Sequence, residues 1–136
     1  MRTKKYINDL AYELVGCAIE VHKQIGPGLL ENVYDVCFRE ELTYQGFQFT
    51  HQLKVPIVYR NAALEAQLRL DVLVENLIVV ELKSVERSLP LFEAQVLSYM
   101  KLLQMPKGLL INFNSDNIAK NTKYFVNEFF SDLPDK

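Results

Sequence analysis

The sequence predicts an α/β domain in which helices flank a mixed central β-sheet, with the element order ααβββαβα. Apolar residues recur with helical spacing in the first third of the chain, whereas the middle carries runs with the two-residue period of strands. A short apolar run, Gly108 to Phe113, then lies between two helical segments, as expected for a buried strand parallel to its neighbour. With 136 residues and 49% hydrophobic side chains, we expect one domain over residues 1–136.

Two helices open the chain. Apolar residues three and four apart predict the first from about Asn8 to Gln24. The segment 26–28, Gly-Pro-Gly, ends it, because proline donates no backbone hydrogen bond and glycine accepts a positive φ. The second helix has Glu31 in its first turn and Gly46 just beyond its end.

The central region is predicted to be extended. FQFTH and LKVPIVY alternate as strands do, and Pro56 suits an edge position. Residues Asn61 to Ala66 are interpreted as a turn or excursion. Two strands, Gln67 to Val74 and Leu77 to Lys83, follow, and the join at residues 75–76 is short enough for a hairpin.

The last third is predicted to hold a helix, a strand and a helix. The first helix spans about Leu89 to Leu103, with Pro90 in its first turn. The strand Gly108 to Phe113 follows, and Ile118 to Phe130 is interpreted as a closing helix.

Composition excludes several classes of protein. A net charge of −2 argues against a domain that coats nucleic acid through bulk positive charge. Apolar stretches are too short to span a bilayer, and the start lacks an apolar secretory core, so we expect a cytoplasmic protein with no membrane partner. Cys17 and Cys37 fit reduced thiols better than a disulfide framework.

Three ionisable residues interrupt the most apolar strands: Asp71, Glu81 and Lys83. Burial of isolated charges is costly unless they pair or bind an ion. Side chains two apart on a strand share a face, so Glu81 and Lys83 point the same way, and a hairpin would bring Asp71 beside them. Two carboxylates can hold a hard cation, with an ammonium near the same reacting group. The alternative is a solvated hairpin face with a weak cross-strand ion pair.

Longer motifs carry a family resemblance. The segment Gly28-Leu29-Leu30-Glu31-Asn32-Val33-Tyr34 resembles the G-x-x-E-x-x-Y signature of the GxxExxY protein family, and LRLDVLVE, IVVELKSVE, EAQVLSYM and GLLINF resemble its later blocks. The similarity spans roughly Ile7 to Asn127. That family belongs to the PD-(D/E)XK nuclease-like superfamily, whose sheet core is like that of restriction endonucleases. The resemblance implies such a core and metal-dependent cleavage of nucleic acid, DNA more than RNA.

The resemblance also implies roles for particular residues. Asp71 matches the motif aspartate and Glu81-Leu82-Lys83 the E-x-K. Asp71, Glu81 and the Leu82 carbonyl would bind Mg²⁺ or Mn²⁺, Glu31 would complete the shell directly or through water, and Lys83 would orient water or stabilise developing charge. Glu31 has a second explanation, since a carboxylate is favoured in a first helical turn.

Four more residues are candidates for substrate binding. Gln95 and Tyr99 match the Q-x-x-x-Y of RecB-like nucleases and share a helix face. Arg69, two residues before Asp71, is a candidate phosphate contact. Tyr34 belongs to the G-x-x-E-x-x-Y signature. Alternatively, Gln95 is ordinary helix surface, and both tyrosines are core aromatics with a wet hydroxyl.

The chain departs from the superfamily pattern at two positions. Leu70 replaces the nominal proline before the aspartate, and Phe92 stands where a histidine is expected. Two other functions remain open: a nuclease-like fold that binds nucleic acid or protein without turnover, and a structural subunit of a homo-oligomer that uses the aromatic segment YFVNEFF.

Overall fold

The computed structural model describes residues 2–64 and 68–136. Its elements confirm an α/β fold with a mixed sheet flanked by helices. In chain order they are α1 (Lys4–Ile25), α2 (Glu31–Gln45), β1 (Phe49–Lys54), β2 (Ile57–Tyr59), β3 (Ala62–Leu64), β4 (Arg69–Val74), β5 (Ile78–Lys83), α3 (Pro90–Leu103), β6 (Lys107–Asn112), α4 (Ile118–Asn121), β7 (Lys123–Val126) and α5 (Glu128–Ser131).

The main sheet has five strands in the order β1-β4-β5-β6-β7, and β2 and β3 form a separate hairpin. Only β5 and β6 pair in parallel among the described strands, and the other pairs are antiparallel. Helix α3 makes the crossover that parallel neighbours require. The carboxyl ends of β5 and β6 therefore lie at the same edge of the sheet.

Helices cover both faces of the sheet. On one face, α1 and α2 pack on alternate residues of β5, namely Ile78, Val80 and Leu82. On the other face, Val79 packs against the buried side of α3. Because side chains alternate along a strand, Glu81 and Lys83 share the face of Val79 and point toward α3.

The predicted hairpin between β4 and β5 is present. Glu75 and Asn76 both have φ of 53°, and the Leu77 N–H closes the turn on the Val74 carbonyl at 3.0 Å. Such left-handed residues match the twist of a two-residue hairpin turn. Gln67, the predicted first residue of the β4 strand, lies outside the described residues.

The predicted turn between β2 and β4 needs correction. Within the segment Asn61 to Ala66, residues Ala62–Leu64 form β3, while Glu65 and Ala66 lie outside the described residues. Arg60 and Asn61 make the left-handed turn that closes β3 onto β2.

The prediction of one closing helix from Ile118 to Phe130 is wrong. The Asn117 side chain caps the four-residue α4, and the Asn127 side chain caps α5. Between them, β7 pairs with β6 instead of continuing a helix. Local capping and a distant strand partner replace the predicted helical turns.

The N-terminal helix starts earlier than predicted, at Lys4 instead of Asn8. The Thr3 hydroxyl accepts a hydrogen bond from the Tyr6 N–H at 3.0 Å, which is an N-cap. Both cysteines are free, with Cys17 buried in α1. Within the described ranges, no helix has the length and apolar character needed to cross a membrane.

Candidate functional site

The candidate site lies where β4 and β5 separate. Within the described strands, the pairing of β4 with β5 runs from Val74 to Val72 on one side and from Ile78 to Val80 on the other. In place of the next strand partner, the Asp71 carboxylate accepts the Leu82 N–H through Oδ2 at 2.9 Å. The side chain of Asp71 thus occupies the gap between the two strands.

The backbone of Leu82 also faces this gap. In a strand, the N–H and the carbonyl of one residue point to the same side, and the Leu82 N–H points toward Asp71. The neighbouring Lys83 carbonyl instead accepts from Phe113 on the β6 side, at 2.8 Å. The Leu82 carbonyl therefore faces the Asp71 side of β5, where a carbonyl ligand was predicted.

Glu81 lies beside Asp71 and is almost completely buried, with 6% of its surface exposed. Burial, a side-chain hydrogen bond with Asp71 and the negative charge of Asp71 together raise the pKa of Glu81 from 4.5 to about 10. The Lys83 charge acts in the opposite direction. Without a cation, the Glu81 carboxyl group therefore keeps its proton near neutral pH beside Asp71.

Lys83 lies on the same side of β5, and its Nζ sits 4.5 Å from the centroid of the Phe92 ring. This is a cation–π contact that fixes the ammonium next to the carboxyl pair. Phe92 occupies the first part of α3 at the position where a histidine was expected. The ring holds Lys83 in place and supplies no titratable group.

Glu31 reaches the same region from the first turn of α2. Partial burial raises the pKa of Glu31, the Lys83 charge lowers it, and the negative charge of Asp71 raises it further. These mutual effects show that the structure brings Glu31 near Asp71, Glu81 and Lys83. Asp71, Glu81, Lys83 and Glu31 are called the cluster below. Glu31 is itself exposed, so it lies at the open side of the cluster.

The segment before α2 is braced at both ends. The Tyr34 hydroxyl donates to the Gly26 carbonyl at 2.6 Å and accepts from the Leu29 N–H at 3.2 Å. The Ser84 hydroxyl donates to the Leu29 carbonyl at 2.6 Å. Since Ser84 follows Lys83 directly, this bond ties the start of α2 to the end of β5.

Tyr34 is thus not among the side chains exposed at the cluster. It is fully buried and stacks on Phe113, with ring centroids 4.5 Å apart and planes at 6°. Its two hydrogen bonds satisfy the hydroxyl inside the protein. The structure gives Tyr34 the core position that was the alternative to substrate binding.

The other three substrate-binding candidates lie in different places. Tyr99 is buried on α3, and its pKa is raised by burial and by the charges of Glu81 and Asp71, so its hydroxyl borders the carboxyl pair. Gln95 is half-buried one turn earlier on α3. Arg69 is exposed at the start of β4, in register with Lys54, and forms no ion pair within the described residues.

Two positioning residues were missed by the sequence reasoning, Ser84 and Asn112. The Asn112 side chain accepts from the Val85 N–H at 3.1 Å and donates to the Val85 carbonyl at 2.9 Å. It thereby fixes the segment that leaves β5 after Lys83. A polar residue at the carboxyl end of a buried parallel strand is the signal that could have identified Asn112.

The cluster can hold a hard cation through oxygen. Its donors are carboxylates and a backbone carbonyl, which are the ligands that Mg²⁺ and Mn²⁺ prefer. A cation bound here would also offset the negative charge that raises the pKa of Glu81. Nevertheless, no group of three or more His, Cys, Asp or Glu in residues 2–64 and 68–136 is preassembled around one point.

Comparison with known proteins gave a family match. A family model described as PD-(D/E)XK nuclease superfamily matches residues 8–125. No curated protein and no solved structure gave a significant match. The matched range contains every residue of the cluster described above.

Proposed function

Because the chain belongs to the PD-(D/E)XK nuclease superfamily, we propose that it is a divalent-metal-dependent nuclease that hydrolyses phosphodiester bonds. We propose DNA, in preference to RNA, as its substrate. The observation that carries the proposal is the buried Glu81 beside the half-buried Asp71, with Lys83 on the same side of β5. A buried acid with a raised pKa beside a second carboxylate and a fixed ammonium is typical of a catalytic centre and costly for a purely structural surface.

Asp71, Glu81 and the Leu82 carbonyl would hold Mg²⁺ or Mn²⁺, and Glu31 is placed to complete the set at the open side. When bound, the cation supplies Lewis-acid polarisation of the phosphoryl oxygen and a more acidic water. Asp71 remains oriented by the Leu82 N–H during this chemistry. The resemblance of the segment from Gly28 to Tyr34 to the G-x-x-E-x-x-Y signature supports the inclusion of Glu31.

Lys83 supplies positive charge where the phosphate becomes more negative in the transition state. Its contact with Phe92 fixes the ammonium before the substrate arrives, so little reorganisation is needed. Tyr99, bordering the carboxyl pair, and Gln95, one turn away, are placed to position the strand being cleaved. Tyr34 has a positioning role only, since it braces the segment that carries Glu31.

A second candidate is a module that binds nucleic acid without cleaving it. It is favoured by the absence, within the described residues, of a preassembled group of three metal-ligating side chains. Both functions predict nucleic-acid binding, so only turnover separates them.

The test is a cleavage assay with Mg²⁺ or Mn²⁺ on labelled single-stranded DNA, double-stranded DNA and RNA. We expect Asp71→Asn and Lys83→Met to lower the rate by about a hundred- to a thousandfold, the usual cost of losing a positioned electrostatic group. Lys101→Met is the matched control, because Lys101 is exposed in the last turn of α3.

Equal activity in all variants would identify a contaminating nuclease. An inactive wild type with every substrate and both metals would reject the nuclease and favour the binding module. Cleavage rates are compared only among variants whose melting temperature matches that of the wild type. A lower rate then reports lost catalysis and not lost folding.

A further inference from the structure

A polar cavity of about 210 Å³ opens beside Lys83, outside the carboxyl pair. It lies at the carboxyl ends of the parallel strands β5 and β6, where open α/β sheets commonly bind ligands. Lys83 lines this cavity and also belongs to the candidate site. A ligand in the cavity would therefore lie next to the proposed centre of cleavage.

The cavity wall is positively charged. Lys83, Lys120 and Lys123 line it, with Glu86 as the one acidic residue among its described walls. Lys123 donates to Glu93 of α3, so part of its charge is already balanced. Lys120 forms no ion pair within the described ranges and is exposed, which leaves it ready to meet an anion.

The wall also holds a hydrogen-bonding group that lacks a partner. Ser115 lines the cavity, and its hydroxyl oxygen is buried with no hydrogen-bond partner among the described residues. Burying such a group is unfavourable unless something bonds to it. Asn112 also lines the cavity, and its side chain is held by its bonds with Val85 and with the Asn114 N–H, from which it accepts at 3.1 Å.

The shape of the cavity selects among anionic ligands. Its volume lies below the roughly 300 Å³ at which small-molecule pockets usually begin. Its described walls include Leu110 but no aromatic ring on which a base could stack. Lysines together with a hydroxyl and amides are instead suited to a phosphate group.

We propose that this cavity is a phosphate subsite that holds the phosphate next to the scissile one on a nucleic-acid strand. Lys120 binds its oxygens, Ser115 lies in the wall around it, and Lys83 lies between this phosphate and the one being cleaved. The proposal rests on the proposed function for the identity of the strand. It adds a contact that neither the carboxyl pair nor the family match supplies.

The test measures binding without turnover, in EDTA, by fluorescence anisotropy of a labelled single-stranded DNA over a series of salt concentrations. The log of the affinity falls as the log of the salt concentration rises. Loss of one phosphate contact makes this dependence less steep by about 0.7 for a single strand. We expect this change, with a roughly three- to tenfold weaker affinity at low salt, for Lys120→Gln. Lys120→Arg should keep the wild-type slope, and Lys101→Gln is the charge-matched control.

Two DNA strands distinguish the source of the phosphate. If the effect of Lys120→Gln requires a 5′-phosphate on the strand, the cavity holds a terminal phosphate. If the effect is equal with and without that group, the cavity holds an internal phosphodiester. Either result supports the subsite.

Identical affinity and slope for Lys120→Gln and Lys101→Gln would overturn the subsite. Should the wild type still cleave DNA in that case, the proposed nuclease function would stand alone. Should the wild type bind with the predicted slopes yet cleave nothing, the cavity would stand as a phosphate-binding site on nucleic acid and the nuclease function would fall. A wild type that neither binds nor cleaves would overturn both.

Discussion

At the scale of single residues, Glu81 links the chemistry of the site to the stability of the fold. Its carboxyl group is buried against Asp71, and its pKa rises from 4.5 to about 10 because the charged form is desolvated and repelled. Between these two pH values the folded protein keeps a proton that the unfolded chain releases. The contribution of Glu81 to the free energy of unfolding is therefore largest below about pH 4.5. It is lost as the pH rises toward about 10.

We predict that Glu81→Gln, which imitates the protonated carboxyl group, removes this loss. In metal-free buffer the variant should exceed the wild type in free energy of unfolding by up to about 5 kcal/mol near pH 8, since each pH unit above the ordinary pKa of 4.5 costs the wild type about 1.4 kcal/mol. The difference should shrink toward pH 5. Urea unfolding at several pH values measures it.

Glu40→Gln, on the exposed surface of α2, provides the comparison. If the advantage of Glu81→Gln over wild type were the same at pH 5 and pH 8, Glu81 would not hold the extra proton. Cleavage should be lost in Glu81→Gln and retained in Glu40→Gln.

Residue patterns predicted part of the site. Alternation along an apolar strand indicated that Glu81 and Lys83 share a side, and the short turn indicated that Asp71 lies near them. The family signature named Tyr34 but could not distinguish a core ring from a substrate contact. The bond from Ser84 to Leu29 joins residues 55 positions apart, so no local pattern indicates it.

At the scale of elements, the position of α3 depends on Gly108 in β6. A Cβ atom added there would lie 2.7 Å from both Met100 Sδ and Val96 Cγ1 of α3. Methionine can adjust, but the branched valine has little freedom. The missing side chain of Gly108 lets α3 approach the sheet closely enough to bring Tyr99 beside the carboxyl pair.

We predict that Gly108→Ala lowers the free energy of unfolding by about 1 to 3 kcal/mol, the usual cost of overpacking. The rate of DNA cleavage should fall as well, because α3 moves away from β5. Thermal unfolding and the cleavage assay measure the two effects.

Gly16→Ala is the control, since an added Cβ at Gly16 meets nothing within 4 Å in α1. Alanine is the better helix former, so this variant should gain up to about 1 kcal/mol and keep its activity. A loss of stability at Gly108 no larger than at Gly16 would show that α3 does not depend on this contact.

The sequence was informative about elements whose own pattern is long. The three long helices were predicted because apolar residues recur with helical spacing over ten or more residues in each of them. The strands β4 to β6 were predicted because each is a strongly apolar run. The region from Ile118 to Phe130 failed because β7 has four residues and exists through its pairing with β6. Distant pairing overrides weak local preference in such short segments.

At the scale of the whole molecule, the proposed metal binding would be coupled to folding. The unfolded chain cannot hold Asp71 and Glu81 together, so a cation that binds this pair stabilises only the folded state. We predict that Mn²⁺ at tenfold excess over a dissociation constant of about 1 mM raises the free energy of unfolding by about 1.4 kcal/mol. For a chain of this size the melting temperature should rise by roughly 3 to 6 °C.

The shift should be larger at pH 8 than at pH 6, because Glu81 must release its proton when a cation binds. Differential scanning calorimetry of the wild type and of an Asp71→Asn, Glu81→Gln double variant measures it. Equal stabilisation of the two proteins by Mn²⁺ would remove the carboxyl pair from the metal site.

The bond between the Asp71 carboxylate and the Leu82 N–H has a consequence for how such a chain would change under relaxed selection. Replacing Asp71 by an apolar residue would leave the Leu82 N–H without a hydrogen-bond acceptor between β4 and β5. This loss would lower the free energy of unfolding by about 1 to 3 kcal/mol. Replacing Glu81 by a neutral residue relieves a buried acid, and Lys83 can change at little structural cost. If the proposed nuclease activity were lost in a descendant, the chain would therefore change at Glu81 or Lys83 while it kept Asp71. Presence of the aspartate alone is then a mark of ancestry, and the E-x-K pair is the better guide to whether a relative is still active.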